Sequence, residues 1–364
     1  MMERNRIVYF DCLRILAMCF VIYMHVASLP LSMERDNEWI LLTLVTSVAY
    51  TAVPLFFMMS GYLILTSNNT ENISVLLKHR LPHLLVPLAF WTTVIAVWIG
   101  FKNGDMSLLG IIKTSFLGFS TPLMQHLWFV YTLVALYLMS PVLYYGLNGL
   151  KEKGKKYVIC IIFFVFLQTM ITILLPENMK ETGMIRSLNE LNFLNGTFWT
   201  FILGYFVGGM KRYVSNKLLV VIAVLDWGFI SISTVAVSWQ RGYTGMFQNQ
   251  RAGFMVLLAI CIFILFKQNI KGSPRIYPMA NLSFGIYIIH NLINRILSYL
   301  GYEAYSLGEV VIKTVVILVV CYFIIKSMAS IKPLCFLATG MSYDKACRSC
   351  NWIYTYNKVK NRTN

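Results

Sequence analysis

YFDCLRILAMCFVIYMHV, residues 9–26, is an apolar run with three ionisable side chains set into it: Asp11, Arg14 and His25. Taken to its apolar limits it covers 7–29. That is enough for one helix to cross a bilayer, which needs about 20 apolar residues. Asp11 and Arg14 fall where a secretion signal is uniformly apolar, so the run reads as a first membrane helix and not as a leader. The rest of the chain agrees. Of its 364 residues 58% are hydrophobic and only 13% charged, about half the charge of a soluble domain. Further apolar runs lie near 40–66, 84–101, 126–149, 157–175, 193–210, 218–239, 252–266, 279–300 and 307–326. The expected fold is therefore an all-α integral membrane bundle of about ten transmembrane helices. The stretch SLLGIIKTSFLGFSTP, 107–122, is apolar but broken, and reads as a re-entrant or interfacial segment. Gly204 and Gly208 are spaced for close helix packing.

Cations on cytoplasmic loops orient such a bundle. Lys151, Lys153, Lys155 and Lys156 share one loop and Lys211, Arg212 and Lys217 another, whereas the first outer loop sets Glu34, Asp36 and Glu38 against Arg35. With the amino terminus inside, ten spans put both termini in the cytoplasm. The net charge of +16 is then a signature of topology and of attraction to anionic membrane lipid, with no nucleic-acid partner implied. Two regions follow: a multi-span domain over 1–326 and a polar, basic cytoplasmic tail over 327–364. Most cysteines sit in apolar runs as small hydrophobes. Cys347 and Cys350 form a CxxC in the tail, but a zinc site wants a second ligand pair, so no metal is expected.

Ionisable groups inside apolar spans cost several kcal/mol on insertion unless partnered, which makes them functional candidates. Asp11 and Arg14 are i and i+3, placed to pair on one face. Arg14 and His25 are eleven residues apart, three turns, so they share a face about 16 Å apart along the axis. A snorkelling ion pair and a packing histidine would explain each residue singly. Three on one face, with His126 opening the fourth span and His290 and Arg295 in the ninth, are harder to explain that way. The second span holds PLFFMMSGY, Pro54 to Tyr62, where the proline predicts a kink. A basic loop follows with Lys78, His79, Arg80 and His83.

At these residues the chain resembles the membrane-bound acyltransferase-3 family. The likeness lies in the Arg and His with ten residues between them in the first span, here Arg14 and His25. It extends through PLFFMMSGYLI, the basic KHRLPHLLVP, the fourth-span HLWFVYTLVALYLMSPVL and the late LSFGIYIIH, Leu282 to His290. Two departures stand out: Ile15 where many members have glycine, and Lys78, His79 and Arg80 where many have a denser arginine cluster. The resemblance implies a multi-pass protein of the bacterial plasma membrane. It also implies transfer of an acyl group, usually acetyl, from cytoplasmic acetyl-CoA to a hydroxyl of a cell-surface glycan, a lipid-linked saccharide or another envelope acceptor. In that setting His25 is the expected base or transient acyl carrier. Arg14, held by Asp11, joins Lys78 and Arg80 in binding the donor, and Ser60, Tyr62, His126, Tyr287 and His290 are site-lining candidates. The competing reading is a transporter or exporter of a polysaccharide or lipid-linked saccharide, which intramembrane charges and a kinked helix also fit.

Overall fold

In the computed structural model of the chain, residues 7–33, 35–175, 196–242, 244–271 and 277–350 are described, and no strand occurs among them. In chain order the main helices are α1 (Val8–Leu31), α2 (Asn37–Ala49), α3 (Ala52–Leu65), α4 (Pro82–Asn103), α5 (Leu108–Ser120), α6 (Trp128–Gly149) and α7 (Glu152–Leu174). There follow α8 (Gly196–Gly209), α9 (Asn216–Arg241), α10 (Gly253–Asn269), α11 (Tyr277–Tyr299), α12 (Leu307–Ser330), α13 (Lys332–Thr339) and α14 (Tyr343–Cys350).

Seven segments among the described residues are long and apolar enough to cross a membrane, fewer than the ten expected. Three of the expected spans account for the difference. Helix α10 is apolar but has 17 residues. Helix α8 has 14, and the expected start of that span at 193 lies outside the described residues. Helix α11 has 23 residues but carries Asn281, Ser283, His290, Asn291, Asn294 and Arg295, which take it below the hydropathy of a spanning helix. The broken stretch 107–122 becomes α5, whose 13 residues give it about 20 Å, short of a crossing.

The kink expected at Pro54 shows as a two-residue interruption at Tyr50 and Thr51. Both keep right-handed helical dihedrals, so 37–65 remains one crossing segment. Helix α2 stops at Ala49 and α3 starts at Ala52. Proline has no N–H to offer the carbonyl four residues back and its ring collides with that carbonyl. Here that carbonyl belongs to Tyr50, where the two helices part.

Helix α1 lies at the centre, packed by α2, α3, α10, α11 and α12, with Leu13, Ala17, Met18, Val21, Ile22 and Ala27 buried. Helices α3 and α8 touch backbone to backbone. A Cβ on Gly61 would lie 1.8 Å from the Phe201 carbonyl oxygen, and one on Gly204 2.1 Å from that of Met58. The spacing of Gly204 and Gly208 thus serves packing, with Gly61 as its counterpart on α3. The far end of α8 is closed by Lys267 of α10, whose Nζ donates to the carbonyls of Val207 (3.0 Å), Gly208 (2.7 Å) and Met210. A cation on the last carbonyls of a helix satisfies groups with no intrahelical partner. Lys267→Met is expected to cost about 1–3 kcal/mol, read as a lower unfolding midpoint in detergent.

Outward-facing apolar side chains are abundant: Phe163, Phe164, Leu225, Ile232 and Phe323 are each more than half exposed. Such a surface suits lipid tails and not water.

The chain beyond 326 stays with the bundle. Helix α12 runs on to Ser330, α13 packs on α4 and α12, and α14 on α11 and α12. Trp91 Nε1 donates to the Ala338 carbonyl at 3.0 Å. Gly340 turns the chain at φ +68°, where a Cβ would sit 2.1 Å from the His83 carbonyl oxygen. Residues 351–364 lie outside the described part.

Candidate active site

Three separate segments bring a histidine to one place. His25 comes from α1, His126 from the one-turn 3₁₀ helix Gln125–Leu127 that leads into α6, and His290 from α11. Ring centres are 5.7 Å apart for His25 and His126, 5.2 Å for His25 and His290, and 4.7 Å for His126 and His290. His126 and His290 are buried, at 3% and 0% exposure, while His25 is half-buried.

Backbone contacts orient the two buried rings. His126 Nε2–H donates to the Ile288 carbonyl at 2.9 Å, and its Nδ1 accepts from Asn291 Nδ2 at 3.3 Å. A neutral imidazole has one N–H and one bare nitrogen, so both positions on His126 are used. The Tyr287 hydroxyl donates to the His126 carbonyl at 2.6 Å. Its proton is therefore committed to holding His126, and the phenol lines the site without a free donor. His290 Nδ1 donates to the Tyr287 carbonyl, and His290 Nε2 is buried with no hydrogen-bond partner among the described residues. Phe129 packs against the Tyr287 ring at 5.4 Å, walling one side with carbon. Asn294 Nδ2 donates to the His25 carbonyl at 3.4 Å. Arg295 follows it, exposed, and its charge acts on His25 and His126.

At the other end of α1, Arg14 Nη1 meets Asp11 Oδ1 at 3.3 Å; the Arg14 side chain is 31% exposed and that of Asp11 5%. Helix α1 is unbroken between Arg14 and His25, so the two keep one face about 16 Å apart. Arg80 donates to Thr70 Oγ1 at 2.7 Å and Ser67 Oγ at 3.1 Å, which ties the basic loop to the turn after α3. Arg14 and Arg80 both act electrostatically on the Tyr137 phenol of α6, so the two guanidiniums border one region.

Of the expected site residues, the structure groups His25, His126, Tyr287 and His290 at one end, and Asp11, Arg14 and Arg80 at the other. Lys78 stays on the exposed side of its loop. Tyr62 packs on the Phe10 ring at 5.5 Å and under Gly208, near Tyr9 at the arginine end and away from the histidines. Ser60 is half-buried on α3, one turn beyond Phe56, whose ring is 6.2 Å from that of Tyr287. Sequence reasoning missed Asn291 and Asn294, although an amide beside His290 in an apolar span was itself a signal. It also missed Ser67, Thr70 and Tyr137, which nothing local marks. No group of three histidine, cysteine, aspartate or glutamate side chains is arranged to hold a metal ion among the described residues. Cys347 of the CxxC is exposed, and the Cys350 side chain lies outside the described part.

No curated protein matches the chain, and no solved structure does. The acyltransferase domain that defines the acyltransferase-3 family matches residues 7–326, a range holding every one of these site residues. The protein, an all-helical chain with several membrane-crossing segments, belongs to the acyltransferase-3 family of membrane acyltransferases.

Proposed function

We propose that the protein moves a short acyl group, acetyl foremost, from cytoplasmic acyl-CoA to a hydroxyl of a cell-surface glycan, a lipid-linked saccharide or another envelope acceptor. The observation that carries this reading is the layout of α1: a half-buried imidazole at one end and a guanidinium three turns away on the same face. Arg14, oriented by Asp11, and Arg80 bind donor phosphate through forked N–H groups. Lys78 adds positive charge at the loop surface. His25 takes the proton of the acceptor hydroxyl as its oxygen attacks the thioester carbonyl. The carbon–sulfur bond breaks and the CoA thiolate leaves, collecting that proton. In the covalent variant His25 carries the acyl group between the two steps. The donor end faces the cytoplasm and the histidine end the acceptor, with both termini inside and the protein in a bacterial plasma membrane.

Purified protein in detergent, given labelled acetyl-CoA and an envelope glycan extract, is expected to release free CoA and label the glycan. Intact donor and unlabelled glycan would refute the reading. Arg14→Lys keeps a cation beside Asp11 but loses the forked donor pair. It is expected to raise the KM for acetyl-CoA about tenfold, the effect of about 1.4 kcal/mol, with a smaller change in kcat. An unchanged KM would remove Arg14 from donor binding.

A further inference from the structure

Buried polar atoms are almost always paired, and His290 Nε2 is an exception at the centre of the site. Its ring is 0% exposed. Because Nδ1 gives its hydrogen to the Tyr287 carbonyl, Nε2 on the neutral ring is a bare acceptor. His126 cannot supply a proton to it, since its one N–H is spent on Ile288 and its other nitrogen accepts from Asn291. Among the histidines, the N–H left to meet it is that of His25, whose ring centre lies 5.2 Å away. Two imidazoles sharing an N–H···N bond of about 3 Å have their centres about 5 Å apart. A rotation of the His25 ring about χ2, a broad torsion, closes the bond.

We infer that His290 is a positioning residue for His25. Its bare Nε2 accepts the His25 N–H, fixes the tautomer, and leaves the other His25 nitrogen as a lone pair on the accessible side. When that nitrogen takes a proton, His25 becomes a cation with two N–H groups, and His290 Nε2 accepts one of them throughout. No proton need leave the pair: the one gained from the acceptor hydroxyl returns to the thiolate. His126, saturated by Ile288 and Asn291, serves as the fixed wall against which both rings are set. The consequence for rate rests on the acyl-transfer reading, whereas the tautomer can be observed without turnover.

The chain has five histidines, so imidazole ¹⁵N signals can be assigned by single substitutions. Protein labelled at histidine nitrogen, in detergent at pH 7.5, is expected to show His25 with one protonated and one bare nitrogen, unaveraged. In His290→Leu the two signals should move together as the tautomers exchange. His290→Gln, which offers a carbonyl oxygen in nearly the same place, should restore the fixed pattern. In turnover, kcat should fall about 100-fold in the leucine variant and recover at least tenfold in the glutamine one, with the KM for acetyl-CoA within twofold of wild type. An unchanged His25 pattern in a folded His290→Leu protein overturns the inference. So does a leucine variant as active as wild type. A wild type with a fixed His25 tautomer but no transferase activity would sink the proposed function and leave the pairing intact.

Discussion

Alanine at position 25 is expected to lower acyl transfer by about 10³-fold or more while the protein still folds in the membrane. Positioned general bases contribute about 10²–10⁴-fold, and losing a covalent carrier costs more still. The two neighbouring histidines do not substitute. His126 has both nitrogens engaged, and His290 is fully buried, so neither reaches an acceptor arriving at the partly open side of His25. Folding should survive because no hydrogen bond to the His25 ring occurs among the described residues, and backbone contacts hold its neighbours. Initial rates at saturating acetyl-CoA check the first part, and a monodisperse elution profile with an unchanged unfolding midpoint the second. Full transfer to an identified acceptor by His25→Ala would end the catalytic assignment.

The largest expected effect on stability is at the crossing of α3 and α8. In lipid, apolar surface gains nothing by leaving its surroundings, so helices associate through close packing and polar contacts. Gly61 and Gly204 allow that packing, and the atoms a side chain would meet are backbone carbonyls, which cannot swing aside. Gly204→Val should force the helices apart, at a cost beyond the roughly 1–3 kcal/mol of ordinary overpacking, and little folded protein should be recovered. Gly146→Ala and Gly228→Ala are the contrast. Both sit in helices with no atom within 4 Å of the added carbon, and alanine there should be neutral or stabilising by up to about 1 kcal/mol. Recovery and unfolding midpoints of the three variants in one detergent decide it. A Gly204→Val protein as stable as wild type would show that the crossing does not hold the bundle.

Periodicity and length made the long apolar helices legible, from Val8 to the end of α12. The three further spans expected fall on helices that are short or polar, α8, α10 and α11, and length and hydropathy do not bear them out among the described residues. The pairing of Asp11 with Arg14 could be read from spacing alone, because i and i+3 are neighbours on any helix. That three rings from positions 25, 126 and 290 touch could not, since nothing in an apolar sequence states which helix faces meet. The packing of the residues after 326 was hidden for a different reason. Cys335, Ala338, Met341 and Ala346 are buried, but they lie in or between two short helices on either side of the turn at Gly340, too short to read as a packed element. Such a stretch reads as a surface appendage until its partners on α4 and α11 are known.

The polarity of α11 also bears on how the protein is made. A helix enters the bilayer from the translocon according to its own transfer free energy, which polar and charged side chains make less favourable. Helix α11 brings Arg295 with His290 and three asparagines, so it must settle against helices already in place. Its contact with α1 joins a helix that begins at Val8 to one that begins at Tyr277. At roughly 5–20 residues per second the ribosome needs some tens of seconds to get from one to the other. Through that interval the face of α1 that α11 will cover is open, and the three histidines come together only after α11 has been made. A chain stalled before α11 would be inserted and inert, with His25 facing lipid or water.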